Sequence, residues 1–327
     1  MGDAAGVGPE LCLQLLSRSK PADPHVPVIV GNGTLLARIA AQLNLPFDAP
    51  AFAILPERID RPFIYELDDK LAAEAVVPGR NQAACGGAAA RYIEAAVRGC
   101  QSNRFAAMLT APISKKALNM AGVNYPGHTE MLADLTQTHN YAMLLYSSGI
   151  ACAFATCHQA LSSVPASLST ERIVQVAGLA SRAVGAMRGS KPRLCLLGLN
   201  PHAGEEGLFG DEEIRILAPA RKAIEAGGIQ IDGPLPPDTA FTPQARLRYD
   251  CYIAMYHDQG SIPFKMLAFD TGVNITMGLP IIRTSPDHGT AFDIAWQGKV
   301  RPDSFFSAYD LAARLSTPYR QGTKTLV

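Results

Sequence analysis

Short apolar runs alternate with longer amphipathic segments along most of this chain. The runs have strand length and include VPVIVG at 26–31, FAAMLTAP at 105–112, YAMLLYSS at 141–148, IACAFATC at 150–157, RLCLLGLN at 193–200 and YDCYIAMYH at 249–257. Segments with helical spacing of apolar residues lie between them, such as RIVQVAGLASRAVGAM and EEIRILAPARKAIEA. Strands that alternate with helices of this length form βαβ units, in which helices cover both faces of a mostly parallel sheet. The pattern predicts an α/β fold.

The length of the chain indicates two domains, since 327 residues are about twice the usual ~150 per domain. No Pro/Ser linker divides the sequence, so we take turn-rich stretches as the candidate crossings: NYPGHTE at 124–130 and RTSPDHGTA at 283–291. We therefore place a first α/β domain at 1–124 and 290–327, and a second at 125–289.

Charge and cysteine content narrow the class of protein. Lys plus Arg equals Asp plus Glu at 29 each, so there is no basic field to attract nucleic acid or an anionic membrane. No apolar run approaches the ~18 residues of a membrane span, and the opening MGDAAGVGPE lacks a basic region followed by an apolar one. The seven cysteines form no C-x-x-C pair. We expect a cytoplasmic protein with reduced core cysteines.

Three histidines share one context at the ends of predicted strands. His158 follows IACAFATC, His202 follows RLCLLGLNP, and His257 follows YDCYIAMY. Because the carboxyl ends of parallel strands line one crevice, these imidazoles can converge there on a divalent metal such as zinc. The alternative is that each is a hydrogen-bonded loop residue or a helix cap. Spacing alone leaves both interpretations open.

A second polar group follows the third histidine. Lys265, Asn274 and Arg283 are nine residues apart, and YPGHTE earlier in the chain carries His128 and Thr129 after a glycine. These are donor types that a phosphate monoester needs, because its oxygens only accept hydrogen bonds. The alternative is that Lys265 and Arg283 are solvated surface charges.

Two glycine-containing loops precede helical segments. GDAAGVGPELCLQLL passes from a glycine turn into a helix with Pro9 in its first turn, but no strand precedes the glycines, so a dinucleotide fingerprint is only weakly indicated. In SPDHGTAFDIAWQGKVRP at 285–302, a turn with His288, Gly289 and Thr290 leads into a short helical segment, which we expect to end at Gly298.

Together these motifs resemble the 4-hydroxythreonine-4-phosphate dehydrogenase family across essentially the whole chain. The resemblance rests on MGDAAGVGPE, APISKKALNMAGVNYPGHTE, GLNPHAGEEGLFGDEE, GPLPPDT, MYHDQG, GVNITMGLPIIRTS and DHGTAFDIA. The family pattern has several residues of a first strand before the MGD segment, and GDPAG where this chain has GDAAG. The resemblance implies a two-domain enzyme with the isocitrate and isopropylmalate dehydrogenase-like fold, with its active site in the interdomain cleft of a homodimer.

The resemblance also implies roles for single residues. His158, His202 and His257 fall on the family's metal ligands, with zinc the first expectation and magnesium, manganese or cobalt the others. His128, Thr129, Lys265, Asn274 and Arg283 fall on its substrate-binding positions. His288, Gly289, Thr290 and Ala291 lie in a loop that looks like the one holding the adenosine part of NAD or NADP. Asp238 in the PLPPDT turn is our candidate general base, with Lys115 as the rival.

The implied reaction is metal-dependent oxidation by NAD(P), with decarboxylation, of a C4-phosphorylated 3-hydroxy acid. NYPGHTEMLADLT, GLFGDEEIRIL and RTSPDHGTAFDIAWQGK look more like the catabolic branch, which acts on 4-phospho-D-threonate or 4-phospho-D-erythronate, than like the branch of vitamin B6 biosynthesis, which acts on 4-hydroxy-L-threonine 4-phosphate. Two other classes stay open from the residues: a zinc hydrolase with a three-histidine site, and a non-catalytic protein that binds a phosphorylated metabolite.

Overall fold

The computed structural model describes residues 1–19, 23–67 and 70–320 of the chain. It divides into two compact units, the first made of Met1–Gln137 and Arg283–Ala313 and the second of Thr138–Ile282 and 314–320. The crossings thus fall at 137–138, 282–283 and 313–314, whereas the sequence predicts crossings at 124–125 and 289–290 with all of 290–327 in the first domain. As a result, His128, Thr129 and Arg283 belong to the first unit.

The secondary structure of the described residues alternates strands and helices as expected. The strands are β1 Val28–Gly31, β2 Ala51–Phe52, β3 Phe63–Glu66, β4 Met108–Leu109, β5 Ala142–Ser147, β6 Ile150–Phe154, β7 Leu194–Leu197, β8 Ile231–Leu235, β9 Cys251–Ala254, β10 Val273–Met277 and β11 Arg283–Pro286. The α-helices are α1 Gly8–Arg18, α2 Gly33–Leu43, α3 Ala83–Gln101, α4 Lys115–Met120, α5 His128–Leu135, α6 Val164–Ser167, α7 Thr170–Arg188, α8 Ala218–Ala226, α9 Pro237–Ala240, α10 Pro243–Arg246, α11 His257–Ala268 and α12 Asp303–Arg320. The predicted α/β class is confirmed.

In the first unit, β1, β3 and β2 form a parallel sheet in that order, and β4 pairs in parallel with β11. Helix α1 begins with Pro9 in its first turn, where the missing N–H costs no hydrogen bond. Helix α2 begins where the side chain of Asn32 accepts a hydrogen bond from the backbone N–H of Leu35, a favourable N-cap. The apolar faces of these helices pack into one core around Leu11, Leu35 and Trp296.

In the second unit the strand order is β10-β5-β6-β9-β7-β8. The strands β6, β9, β7 and β8 are parallel, whereas β5 runs antiparallel to both of its neighbours. The reversal arises because only Ser148 and Gly149 separate β5 from β6, and a two-residue loop closes a hairpin. The sheet is therefore parallel over its larger part and mixed at β5.

The three strands that precede the candidate metal histidines are neighbours. Cys152 of β6 and Cys195 of β7 both stand in register with Tyr252 of β9, so the carboxyl ends of the three strands meet at one edge. All seven cysteines are free thiols; Cys157 is half-buried and the other six are buried. No helix in the described ranges has the length and apolar content to cross a membrane.

Candidate active site

His158 and His257 lie together at the carboxyl edge of β6 and β9. Their ring centroids are 5.6 Å apart, and the ring of Phe154 stacks on that of His257 with a centroid distance of 6.0 Å. Two imidazoles bound to one tetrahedral metal ion at ~2.1 Å would have a similar ring separation. The pair therefore has the spacing of two ligands of one ion.

The orientation of His257 is set by its neighbours. The carboxylate of Asp258 can only accept, so His257 Nδ1 donates to it, over 2.6 Å, and Nε2 is left to face a ligand. Ser261 Oγ lies 3.2 Å from the same Nδ1 and donates to the His257 carbonyl. The buried side chain of Gln259 accepts from Met255 N and donates to the carbonyl of Gly198 after β7, which ties the start of α11 to the next strand end.

His202 lies on a turn of left-handed backbone. Residues 202–206 all have positive φ, from 44° at Glu205 to 84° at Gly204. Left-handed helical backbone costs about 1–2 kcal/mol for each residue other than glycine, so the surrounding structure must hold such a turn in place.

The buried carboxylate of Glu213 holds this turn. It accepts hydrogen bonds of 2.7 Å from the backbone N–H groups of both Leu199 and Asn200, and one of 2.9 Å from Asn200 Nδ2. A Cβ at Gly204 would stand 2.8 Å from Glu213 Oε2, so only glycine fits the centre of the turn. Glu213 is thus a structural residue of the His202 segment that the sequence analysis did not identify.

The three candidate metal ligands are only partly brought together. His158 and His257 are neighbours, whereas His202 packs against Phe209 with ring centroids 6.1 Å apart. Within the described part of the chain, no three or more His, Cys, Asp or Glu side chains are grouped to hold a metal ion. The two adjacent imidazoles supply two nitrogen donors, and a divalent ion held there would need further ligands.

The second unit also carries two of the predicted substrate-binding residues. Lys265 lies in the last turn of α11, the helix that begins at His257. Asn274 lies on β10, and its Oδ1 atom is buried without a hydrogen-bond partner among the described residues. The candidate base Asp238 is exposed in the first turn of α9, which packs against 201–207, whereas its rival Lys115 begins α4 in the other unit.

The first unit holds the remaining three substrate positions near one another. Arg283 is 3% exposed, and burial lowers its pKa to about 10, so it stays charged at neutral pH. Burial, and then the positive charge of Arg283, push the pKa of His128 well below 6.5, which keeps that imidazole neutral. His128 Nε2 is buried with no partner in the described chain, and Thr129 follows it in the first turn of α5.

The predicted cofactor loop is exposed to solvent at Gly289. His288 Nδ1 lies 3.0 Å from the carbonyl of Gly289, whereas its Nε2 is buried and unpartnered among the residues described. A Cβ at Gly289 would meet nothing within 4 Å, and Ala291 has a left-handed φ of 43°. The open space at Gly289, next to the unpaired Nε2 atom of His288, is compatible with a bound ligand. The following helix is only a 3₁₀ turn, Phe292–Ile294, which ends before the predicted Gly298.

Comparison with known proteins identifies the family. The profile of the family described as pyridoxal phosphate biosynthetic protein PdxA matches residues 23–312. The chain belongs to this family. The expectation drawn from the motifs is confirmed.

Named relatives of the PdxA family are similar over nearly their full length. D-threonate 4-phosphate dehydrogenase of Salmonella typhimurium is 44% identical over 97% of both chains. 4-Hydroxythreonine-4-phosphate dehydrogenase of Pseudomonas aeruginosa is 41% identical over 96% of both. The solved structure of 4-hydroxythreonine-4-phosphate dehydrogenase from Klebsiella pneumoniae is 42% identical with a TM-score of 0.84, and the match covers 97% of this chain and 98% of that one. Because these relatives are named dehydrogenases, the comparison supports an oxidoreductase activity for this chain.

Several residues of the candidate site were not identified from the sequence. Thr110 accepts two hydrogen bonds from Arg283, Asp258 accepts one from His257, and Gln259 and Glu213 hold the strand ends. Of these four residues, only Asp258 and Gln259 could have been found from the sequence, because the motif HDQ directly follows a predicted strand. Thr110 and Glu213 look like ordinary strand and helix residues in the sequence.

Proposed function

We propose that this PdxA-family chain oxidises a C4-phosphorylated 3-hydroxy acid with NAD or NADP and releases carbon dioxide from the product. The candidate substrates are 4-hydroxy-L-threonine 4-phosphate, 4-phospho-D-threonate and 4-phospho-D-erythronate. The observation that carries the proposal is that two predicted substrate positions, His128 and Asn274, each have a buried polar atom without a partner among the described residues. Buried polar atoms are normally hydrogen-bonded, so unpaired ones indicate a ligand.

The phosphate is the group that these positions suit best. A deeply buried guanidinium such as Arg283 is stabilised by an anion, and a phosphate oxygen supplies one. Thr129, Lys265 and the amide of Asn274 add donors, since an amide can present either its oxygen or its nitrogen. The neutral His128 donates from whichever ring nitrogen carries the proton.

The chain's own residues would move the proton while the cofactor takes the hydride. When bound, NAD or NADP would supply the hydride acceptor and a divalent ion would supply Lewis-acid polarisation of the substrate oxygen. Asp238 would accept the C3 hydroxyl proton, with Lys115 as the alternative base. The product is a β-keto acid, which loses carbon dioxide when its carbonyl oxygen is stabilised as the electron pair arrives.

The ion, zinc first and magnesium, manganese or cobalt otherwise, would be held by His158 and His257, whose rings are adjacent. His202 remains our third ligand, although it lies outside this pair. Asp258 would keep Nε2 of His257 directed at the ion by accepting from Nδ1.

A homodimer is part of the proposal, and residues of one subunit can complete the site of the other. Its support is an apolar stripe on and just after α11, formed by Ile262, Met266 and Phe269, which are 58%, 82% and 64% exposed. Residues at i, i+4 and i+7 lie on one helix face, and exposed apolar patches mark contact surfaces. The balanced charge gives no reason to expect nucleic acid or a membrane as a partner, and the sequence still predicts a cytoplasmic location.

The test combines the purified chain with NAD or NADP, each candidate substrate and each of the four metals. NADH or NADPH formation measures oxidation, and trapped carbon dioxide measures decarboxylation. Matched reactions with a chelator test the metal, and the amino and hydroxy acids in parallel identify the branch. Reduced cofactor with one of the three substrates is the expected result.

Other outcomes separate the competing classes. Phosphate or acyl hydrolysis without cofactor reduction would indicate a zinc hydrolase. Saturable substrate binding with no turnover under any combination would indicate a binding protein. Either result overturns the proposed dehydrogenase.

A further inference from the structure

The carboxylate of Glu10, in the first turn of α1, is buried between two backbone donors. Glu10 is 0% exposed. Its Oε1 accepts from the N–H of Trp296, and its Oε2 accepts from that of Gly298 at 3.0 Å. Backbone N–H groups two residues apart that converge on one anion form a nest, an arrangement that usually binds a ligand. Here the ligand is a side chain of the protein itself.

The nest holds residues 296–298, the C-terminal part of the loop that begins at His288. Trp296 has a φ of 60°, which is strained for a residue other than glycine, so the loop keeps this shape only while its contacts persist. Trp296 Nε1 donates to the carbonyl of Ala4 at 3.2 Å, and Gln42 Nε2 donates to the carbonyl of Trp296 at 3.0 Å. Glu10 accepts from two backbone N–H groups of this segment, at 296 and 298, which makes it the principal anchor.

The N-terminal part of the same loop, residues 288–291, is left open. Its contact with the N-terminal segment is the hydrogen bond from Val7 N to the Thr290 carbonyl, 3.0 Å long. Beyond it, His288 Nε2 has no partner among the residues that the structure describes, and Gly289 faces empty space. The loop is thus anchored at 296–298, whereas 288–291 is free to take a ligand.

We infer that Glu10 is a positioning residue for the cofactor: by holding 296–298, it fixes the loop 288–291 in the conformation that receives NAD or NADP. This inference rests on the proposed dehydrogenase function. A loop already in its bound shape binds more tightly, because the apparent Kd rises as the fraction in that shape falls.

This role requires that both side-chain oxygens of Glu10 accept hydrogen bonds. Both carboxylate oxygens only accept, which matches the two donors, whereas a glutamine would turn an NH₂ group toward one of them. Glu10→Gln keeps the size of the side chain and leaves at least one buried N–H unpaired. Residues 296–298 are then released from their anchor.

The chain contains its own probe, because Trp296 is its only tryptophan. The indole is 2% exposed, so its emission and its quenching by acrylamide report whether the loop stays anchored. NADH and NADPH are each titrated into wild type, Glu10→Gln and the control Glu57→Gln, which removes the charge of an exposed residue of the same unit. Turnover at saturating cofactor is measured on the same samples.

For Glu10→Gln we expect red-shifted emission, faster quenching, and a Kd for the preferred reduced cofactor that rises roughly 10-fold or more. Turnover at saturating cofactor should stay within about threefold of wild type, since Glu10 does not touch the reacting atoms. Glu57→Gln should match wild type in every readout. An unchanged Kd in folded Glu10→Gln overturns the inference, as does an equal loss in Glu57→Gln.

Two further results keep the test decisive. If Glu10→Gln fails to fold, Gln42→Ala replaces it: this exposed residue loses one hydrogen bond to Trp296, and the Kd should rise roughly 2- to 10-fold. An unchanged Kd there counts against the inference. If wild type itself binds neither NADH nor NADPH, the proposed function fails instead, and the two failures are thereby distinguished.

Discussion

Arg283 directs two guanidinium nitrogens at the single hydroxyl of Thr110: Nε lies 3.1 Å and Nη2 2.8 Å from Thr110 Oγ1. Both residues are buried, with exposures of 3% and 4%. They are 173 positions apart in the chain and meet because β11 and β4 pair in parallel. The hydroxyl fixes the plane of the guanidinium, and so the direction in which its other donors point.

Thr110→Val should therefore weaken phosphate binding without touching the substrate. The isosteric change removes the acceptor and leaves two buried N–H groups of Arg283 without it, at a cost of about 1–3 kcal/mol. We expect kcat/KM for the phosphorylated substrate to fall by roughly 10-fold or more. Steady-state kinetics measure this, and Thr110→Ser, which keeps the hydroxyl, is the matched control. Equal kcat/KM for the valine variant and wild type would contradict the role assigned to Thr110.

The substrate's phosphate should be obligatory. Without it, donors at Arg283, Lys265 and Asn274 lose charge-assisted partners, so the dephosphorylated compound should lose roughly 10² to 10³-fold in kcat/KM. Arg283→Ala should narrow that gap by damaging only the phosphorylated reaction. Kinetics with both compounds decide the matter. Comparable values with and without phosphate would remove these residues from the substrate site.

Metal dependence gives a third prediction, centred on Asp258. Exhaustive chelation should abolish turnover, and added zinc, manganese or cobalt should restore it. Asp258→Asn should lower metal affinity by roughly 10- to 100-fold while keeping turnover at saturating metal, because the change affects the orientation of His257 and not the ligand itself. Asp48→Asn, an exposed aspartate of the first unit, is the control. Full activity in metal-free buffer, with no metal by elemental analysis, would refute the metal site.

The apolar stripe on α11 gives a prediction about assembly. Met266→Glu places a charge at the most exposed position of the stripe and should shift a dimer toward monomer. Light scattering at the assay concentration measures the mass. Leu247→Glu is the control, because Leu247 is 80% exposed in the same unit but outside the stripe. A fully active wild-type monomer would rule out the homodimer.

Asp3 should make stability depend on pH. Its side chain is buried, its Oδ1 accepts from Ala5 N at 2.9 Å, and its Oδ2 has no partner in the described chain. Burial raises the pKa of Asp3 from 3.8 to about 6. Between these values the folded chain binds more protons than the unfolded one, so the contribution of Asp3 to stability is lost as pH rises through about 6.

Asp3→Asn removes this titration. The free energy of unfolding of wild type minus that of the variant should therefore fall by on the order of 2 kcal/mol between pH 4 and pH 8. Denaturant unfolding at several pH values measures it. A difference that does not change with pH would show that Asp3 keeps an ordinary pKa.

The sequence predicted well whatever depends on short-range pattern. Each of the six apolar runs contains a strand, namely β1, β4, β5, β6, β7 and β9. The helical spacing at 172–187 lies in α7, and that at 212–226 lies in a π-helical turn, Glu213–Leu217, that continues into α8. It missed α11, because Gly260 and Pro263 both disfavour helix. In the structure a Cβ at Gly260 would lie 2.8 Å from Phe154, so this glycine allows α11 to pack closely on β6. The tertiary contact overrides local propensity here.

The antiparallel β5 shows an available signal that the sequence analysis left unused. Ser148 and Gly149 stand alone between two apolar runs, and a two-residue connection is too short for a parallel crossover. The left-handed turn at 202–206 is different. Four of its five residues disfavour positive φ, and the shape persists because Glu213 binds the backbone N–H groups of Leu199 and Asn200 just before it.

By itself the sequence determined the α/β class, the family, and the strand ends at which His158, His202 and His257 stand, because each depends on local pattern or on contiguous motifs. Only the tertiary structure decided which of these groups meet: His158 with His257, Arg283 with Thr110, and Glu10 with the loop at 296–298. Such pairings are set by strand order and by buried hydrogen bonds between distant segments, and chain spacing carries no record of either.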